Sequence, residues 1–86
     1  MLTITDCIAL SDLTEAEIEA IAEHEHLPKI LAVEMGHCLA HCPGGTGVIA
    51  HIIADDIAEA CNHGQVAHAV ELMHTLEEFV GTHPQG

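Results

Sequence analysis

The stretch that decides the fold is His37-Cys38-Leu39-Ala40-His41-Cys42-Pro43-Gly44-Gly45. Its first six residues hold two imidazoles and two thiols, and its last three form a strong breaker. Upstream, Leu27, Leu31, Met35 and Leu39 recur every four residues. That period predicts a helix with Pro28 in its first turn, running to about Cys42. In such a helix His37 and His41 lie one turn apart, and so do Cys38 and Cys42. Side chains spaced by four share a face and can reach a common ion. Thiolate and imidazole are ligands that zinc, copper and iron favour.

Working outward, Thr14-Glu15-Ala16-Glu17 has the S/T-x-x-E form of a capping box and predicts a helix to about Glu25. Met1–Leu10 is short and mixed, and reads as extended chain or a half-turn. Beyond the breaker, Gly45 or Thr46 opens a third helix to about Asn62, with Gly64 as its stop. A fourth runs from about Gln65 to Phe79 or Val80, ended by Gly81 and Pro84. The 86 residues make a single domain. Short connections between four short helices predict an all-α, up-down four-helix bundle. Phe79 is the one aromatic, so the core is aliphatic and small. Small cores are often completed by a metal or a second subunit, and a homodimer is expected.

One Lys and no Arg face fourteen carboxylates, for a net charge of −13 with neutral histidines. Nucleic acid and anionic membrane surfaces are excluded as partners, because both need Lys or Arg against phosphate. Cations or a basic protein are the electrostatically reasonable partners. No apolar run has signal-peptide or membrane-spanning length, so a cytoplasmic location is expected, with Cys7, Cys38, Cys42 and Cys61 reduced.

At about 100° per residue, Cys38 and Cys42 fall within the second helix's apolar stripe, with Glu34 and His41 on its shoulder and His37 further out. The third helix's stripe is Ile49, Ile52, Ile53, Ile57 and Ala60, with Asp56 inside it and His51 and Asp55 outside. The first helix's stripe is Leu10, Leu13, Ala20 and Ile21, with Glu17 and His24 inside. The last helix's stripe is Val66, Ala69, Val70, Leu72, Met73, Leu76 and Val80, with Glu71 and His74 on the polar side. Aligning levels brings Glu17, Glu34, Cys38, His41 and Asp56 to one side of the interior, with His24 below them. A buried carboxylate is costly unless paired, hydrogen-bonded or metal-bound, and a single Lys provides no ion-pair network.

The C-x3-C spacing is no zinc-finger knuckle, but on a helix it suits thiolates that hold soft Cu(I). The bland reading is that Cys38 and Cys42 are small core residues; the accompanying imidazoles place metal ahead of it. Glu34-x-x-His37 and Glu71-x-x-His74 repeat the unit of di-iron carboxylate bundles, although Glu71 and His74 fall on a polar face. Haem ranks below a bare ion, because no Arg is present to hold propionates. A Cys38–Cys42 disulfide ranks low, because Cβ vectors on one helix run parallel. His26, His63, His68 and His83 read as surface residues, and Gly44-Gly45-Thr46-Gly47 reads as a turn. Nothing resembles a hydrolytic triad, and no catalytic residue is singled out.

The segment Leu10–Pro28 (LSDLTEAEIEAIAEHEHLP), the stretch Ala54–Ala60 and the terminal Thr82-His83-Pro84 resemble a group of small all-helical bacterial proteins with no assigned activity. The resemblance covers most of the chain and implies fold and location more than function. His24, Glu34, His41 and Asp56 fit the group's pattern. Cys38, Cys42, Cys61, His37, His51 and His74 depart from it, which implies a metal-adapted relative.

The sequence therefore points to a small acidic protein that binds an iron, zinc or copper ion for metal handling, sensing or a small redox centre. Cys38, Cys42 and His41 lead the ligand set. Glu34 and His37 follow, and then Glu17, His24 and Asp56. The alternative is an acidic, non-catalytic module that docks on a basic partner, and a di-iron bundle enzyme is third. Nine histidines titrating near pH ~6.5 also predict a change of stability or assembly between about pH 7 and 5.

Overall fold

A computed structural model describes residues 3–83. Those residues form five helices and no strand: α1 (Ile4–Leu10), α2 (Glu15–Glu25), α3 (Lys29–Ala40), α4 (Gly45–Asn62) and α5 (Val66–Thr82). Helix α2 packs on α3, α4 and α5, helix α4 on α2, α3 and α5, and α1 on α3. Pro84, expected to help end the last helix, lies outside the described residues, as do Met1 and Leu2.

The local chemistry explains these boundaries. Thr14 caps α2 by accepting from the Glu17 N–H at 3.2 Å, while the Glu17 carboxylate accepts from the Thr14 N–H at 2.9 Å. This reciprocal pair satisfies two helix-start donors, as the sequence predicts. The same device explains the helix not expected near the start. Thr3 and Asp6 form a second capping box, at 3.1 and 3.2 Å, so the 4–10 segment is helical rather than extended. Its end turns through Ser11, whose hydroxyl donates to the Ile8 carbonyl at 2.6 Å and accepts from the Leu13 N–H at 3.2 Å. Helix α2 closes on His26 in the left-handed region, φ 55°, with Leu27 N–H donating to Ala22 O. Pro28 precedes α3 at φ −58°, the value its ring imposes. Helix α3 ends at Ala40, slightly before the expected Cys42.

Two glycines set how closely the helices approach. A Cβ on Gly36 would lie 2.6 Å from Leu13 Cδ1 and 3.1 Å from Ile21 Cδ1. A Cβ on Gly45 would overlap the Leu39 carbonyl oxygen. Gly45, against backbone, therefore needs the smallest residue, whereas at Gly36 a larger residue requires the Leu13 side chain to shift, and mid-helix glycine there costs about 1 kcal/mol relative to alanine.

The core is aliphatic around one ring. Phe79, Ile18, Ile21, Ile49 and Ile53 are fully buried, with Leu13, Val33, Ile52 and Leu72 beside them. The faces expected for α2 and α4 hold in the main, including the burial of Glu17 and Asp56; Leu10, on α1, is instead exposed. The face expected for α3 holds only in part: Met35 and Leu39 pack half-buried against the core. The buried residues of α3 are Ala32, Val33 and Gly36, Leu31 is 44 % exposed, and Cys38 and Cys42 stand on the surface. Helix α3 is apolar nearly all round, so periodicity sets no strong face, and the small residues Ala32 and Gly36 permit the closest approach. Helix α5 differs similarly: it buries Ala69, Leu72 and Phe79 but leaves Val66, Val70, Met73 and Val80 exposed.

Candidate functional site

The sequence offers eight candidate ligands, of which it brings Glu17, Glu34, Cys38, His41 and Asp56 to one side of the interior with His24 below, and the structure sets these on different surfaces and clusters. Cys38, Cys42, His41, His37 and Glu34 lie exposed on α3 or just past its end, because α3 turns its small-residue side inward. Glu17 is 1 % exposed, and its carboxylate is spent on the α2 cap. Burial pushes its pKa up, against the opposing Thr14 backbone hydrogen bond. Asp56 and His24 belong to a different cluster, between α2, α4 and α5. Among the described residues, no three His, Cys, Asp or Glu side chains converge closely enough to hold one ion.

At the end of α3 the i, i+4 spacing acts as expected. Cys38 Sγ and Cys42 Sγ are 3.9 Å apart, and both residues are exposed. The hydrogen bond with Cys38, reinforced by the charge a Cys38 thiolate would carry, pushes the Cys42 thiol above its ordinary value. His41 Nδ1 lies 2.8 Å from the His37 carbonyl oxygen and therefore donates to it. That bond leaves the lone pair of a neutral imidazole on Nε2, which sits 3.8 Å from Asp12 Oδ2. The His37 and His41 rings pack with centroids 4.4 Å apart.

The second cluster is one the sequence reading did not assemble. His24 Nδ1 meets Glu25 Oε2 at 2.6 Å, and His24 Nε2 meets Asp55 Oδ2 at 3.1 Å, joining α2 to α4. His51 Nε2 approaches the same Asp55 oxygen at 3.5 Å. His68 Nε2 lies 2.9 and 3.1 Å from the two Glu23 oxygens, joining α5 to α2. Asp56 is 5 % exposed, and its Oδ2 has no hydrogen-bond partner. Burial, reinforced by the Glu23 charge, lifts its pKa to about 6, against the opposing pull of His24 and His68. Burial lowers the His24 pKa, but its bonds to Glu25 and Asp55 outweigh that and raise it. The Glu23 hydrogen bond raises His68. Histidines here do what lysines do elsewhere, which is the signal the composition held: nine His accompany one Lys.

The Glu-x-x-His units do not come together as a di-iron site would need, since Glu34, His37, Glu71 and His74 are all exposed. Among the described residues, no helix is long and apolar enough to cross a membrane. No family model matches the chain, and neither a curated protein nor a solved structure matches it.

Proposed function

We propose that the protein is a metal-binding protein whose ligands begin with the thiolates of Cys38 and Cys42, and that its ion is a thiophilic one, Zn(II) or Cu(I). The single observation that supports this is the 3.9 Å separation of the two sulfurs. Zinc–thiolate bonds of about 2.3 Å at the tetrahedral angle put adjacent sulfurs about 3.8 Å apart. The pair therefore spans one edge of a tetrahedral site without moving. Both thiols are exposed, so an ion has a path of entry. Binding displaces the thiol protons, so affinity falls at acid pH. His41 Nε2 adds a basic nitrogen at the same helix end. The reading takes the cysteines as reduced, which suits a cytoplasmic setting. It also takes α2–α5 as an up-down bundle. Elemental analysis of protein purified anaerobically without a tag tests it, with Cys38→Ser/Cys42→Ser as the control. Retained zinc or copper in the wild type and none in the variant is expected. Equal metal in both refutes the assignment.

A second reading has its own observation. Val66, Val70, Met73 and Val80 form an exposed apolar stripe along α5, with Glu77 within it and Glu71 and Glu78 on the same helix. An amphipathic basic helix of a partner protein is the complement of such a surface.

A further inference from the structure

We infer that the Cys38–Cys42 metal site is completed by a second copy of this chain, whose own Cys38 and Cys42 supply the other two ligands. The inference rests on the metal reading above and names the partner of that site.

Three observations lead to it. The first is ligand number. Two thiols lie 3.9 Å apart at the end of α3, and among the described residues no third donor converges with them. Structural zinc takes four ligands, so half a site is present in each chain. The second is symmetry. A tetrahedron has twofold axes that exchange opposite edges, so one thiolate pair generates the other under the rotation that relates two identical subunits. A closed two-fold dimer thus satisfies the ion with no further residue.

The third is charge. In a chain of net charge −13, residues 35–54 contain no Asp, Glu, Lys or Arg. This run includes both thiols, the α3–α4 turn and the first half of α4. Two acids reach it from outside, Asp12 at 3.8 Å from His41 Nε2 and Asp55 at 3.5 Å from His51 Nε2. This run therefore brings no fixed charge of its own to a contact between two copies. The same end of the molecule also exposes Val48, 46 % accessible, one turn into α4, and Leu10, 63 % accessible, at the end of α1, which packs on α3. Binding one divalent ion there releases four thiol protons, two from each chain, and leaves a tetrathiolate centre.

The experiment is a zinc titration of the reduced full-length chain, with bound metal and light-scattering mass read on the same samples. Saturation at roughly one ion per two chains, with the mass doubling as metal is added and halving again on chelation, is expected. Cys38→Ser/Cys42→Ser, whose altered side chains are exposed, is expected to keep its helical circular dichroism and to stay monomeric with zinc. One ion per chain in a monomer overturns the shared site while leaving the metal reading intact. A dimer of unchanged mass with and without zinc overturns it as well. No zinc bound overturns the shared zinc site, and no uptake of Cu(I) in a parallel titration then defeats the metal reading as well.

Discussion

His68 of α5 holds Glu23 of α2 through both carboxylate oxygens, at 2.9 and 3.1 Å, across forty-five residues of sequence. With the His24–Asp55 bond it ties α2 to the α4–α5 pair through imidazoles rather than lysines. The packing of this protein is therefore linked to protonation near neutral pH.

The first prediction concerns pH. His24 and His68 have folded-state pKa values above the ordinary one, and Asp56 is lifted from 3.8 to about 6. A group whose folded pKa is raised stabilises the fold below its unfolded pKa and loses that contribution as pH rises through the folded value. All three act in the same direction, as does Glu17. Stability should fall as pH rises from about 5 to about 8, with Asp56 accounting for about 1.4 kcal/mol of the change and the rest of its contribution lost below pH 5. Urea unfolding at the two ends of that window checks this. Higher stability at the alkaline end would contradict it.

Asp56→Asn isolates the buried carboxylate. The substitution removes a charge that lies 5 % exposed with an unpartnered oxygen. It should stabilise the protein by about 1–2 kcal/mol near pH 8 and have little effect near pH 5. The reverse pattern would mean that a cation neutralises Asp56 in the folded state.

Gly36→Ala tests the close contact of α2 and α3. Alanine raises helix propensity by about 1 kcal/mol, but its Cβ would meet Leu13 Cδ1 at 2.6 Å. Overpacking of about 1–3 kcal/mol should win, and thermal melting should show a net loss. A more stable variant would show that the Leu13 side chain moves aside at little cost.

Thr14→Ala removes half of the α2 capping box and should lower stability by about 1 kcal/mol in denaturant unfolding. The Glu17 carboxylate keeps its own half of the box, because it accepts from the backbone N–H at position 14, which the substitution leaves in place. An unchanged midpoint would remove the cap from the account of this helix.

What was legible in the sequence follows from these particulars. Thr14 and Glu17 announced α2, and Pro43-Gly44-Gly45 announced the break before α4, because both are local chemistry. Helix α1 went unread because its box ends in Asp6 rather than Glu or Gln and its helix is only seven residues long. The inner face of α3 was misread because an almost wholly apolar helix gives periodicity little to act on, and the small residues Ala32 and Gly36 chose the contact. That rotation carried Cys38 and Cys42 from the interior to the surface while leaving their mutual geometry intact. The pairing of His68 with Glu23 is tertiary and has no local mark.

The most direct test of the thiolate reading is a cobalt(II) titration of the reduced protein, read by absorption. Tetrahedral cobalt bound to Cys38 and Cys42 is expected to give thiolate charge-transfer bands in the near ultraviolet and ligand-field bands in the visible, both removed by zinc. Those bands should vanish in Cys38→Ser/Cys42→Ser. Bands of equal strength in that variant, or none in the wild type, would contradict the account.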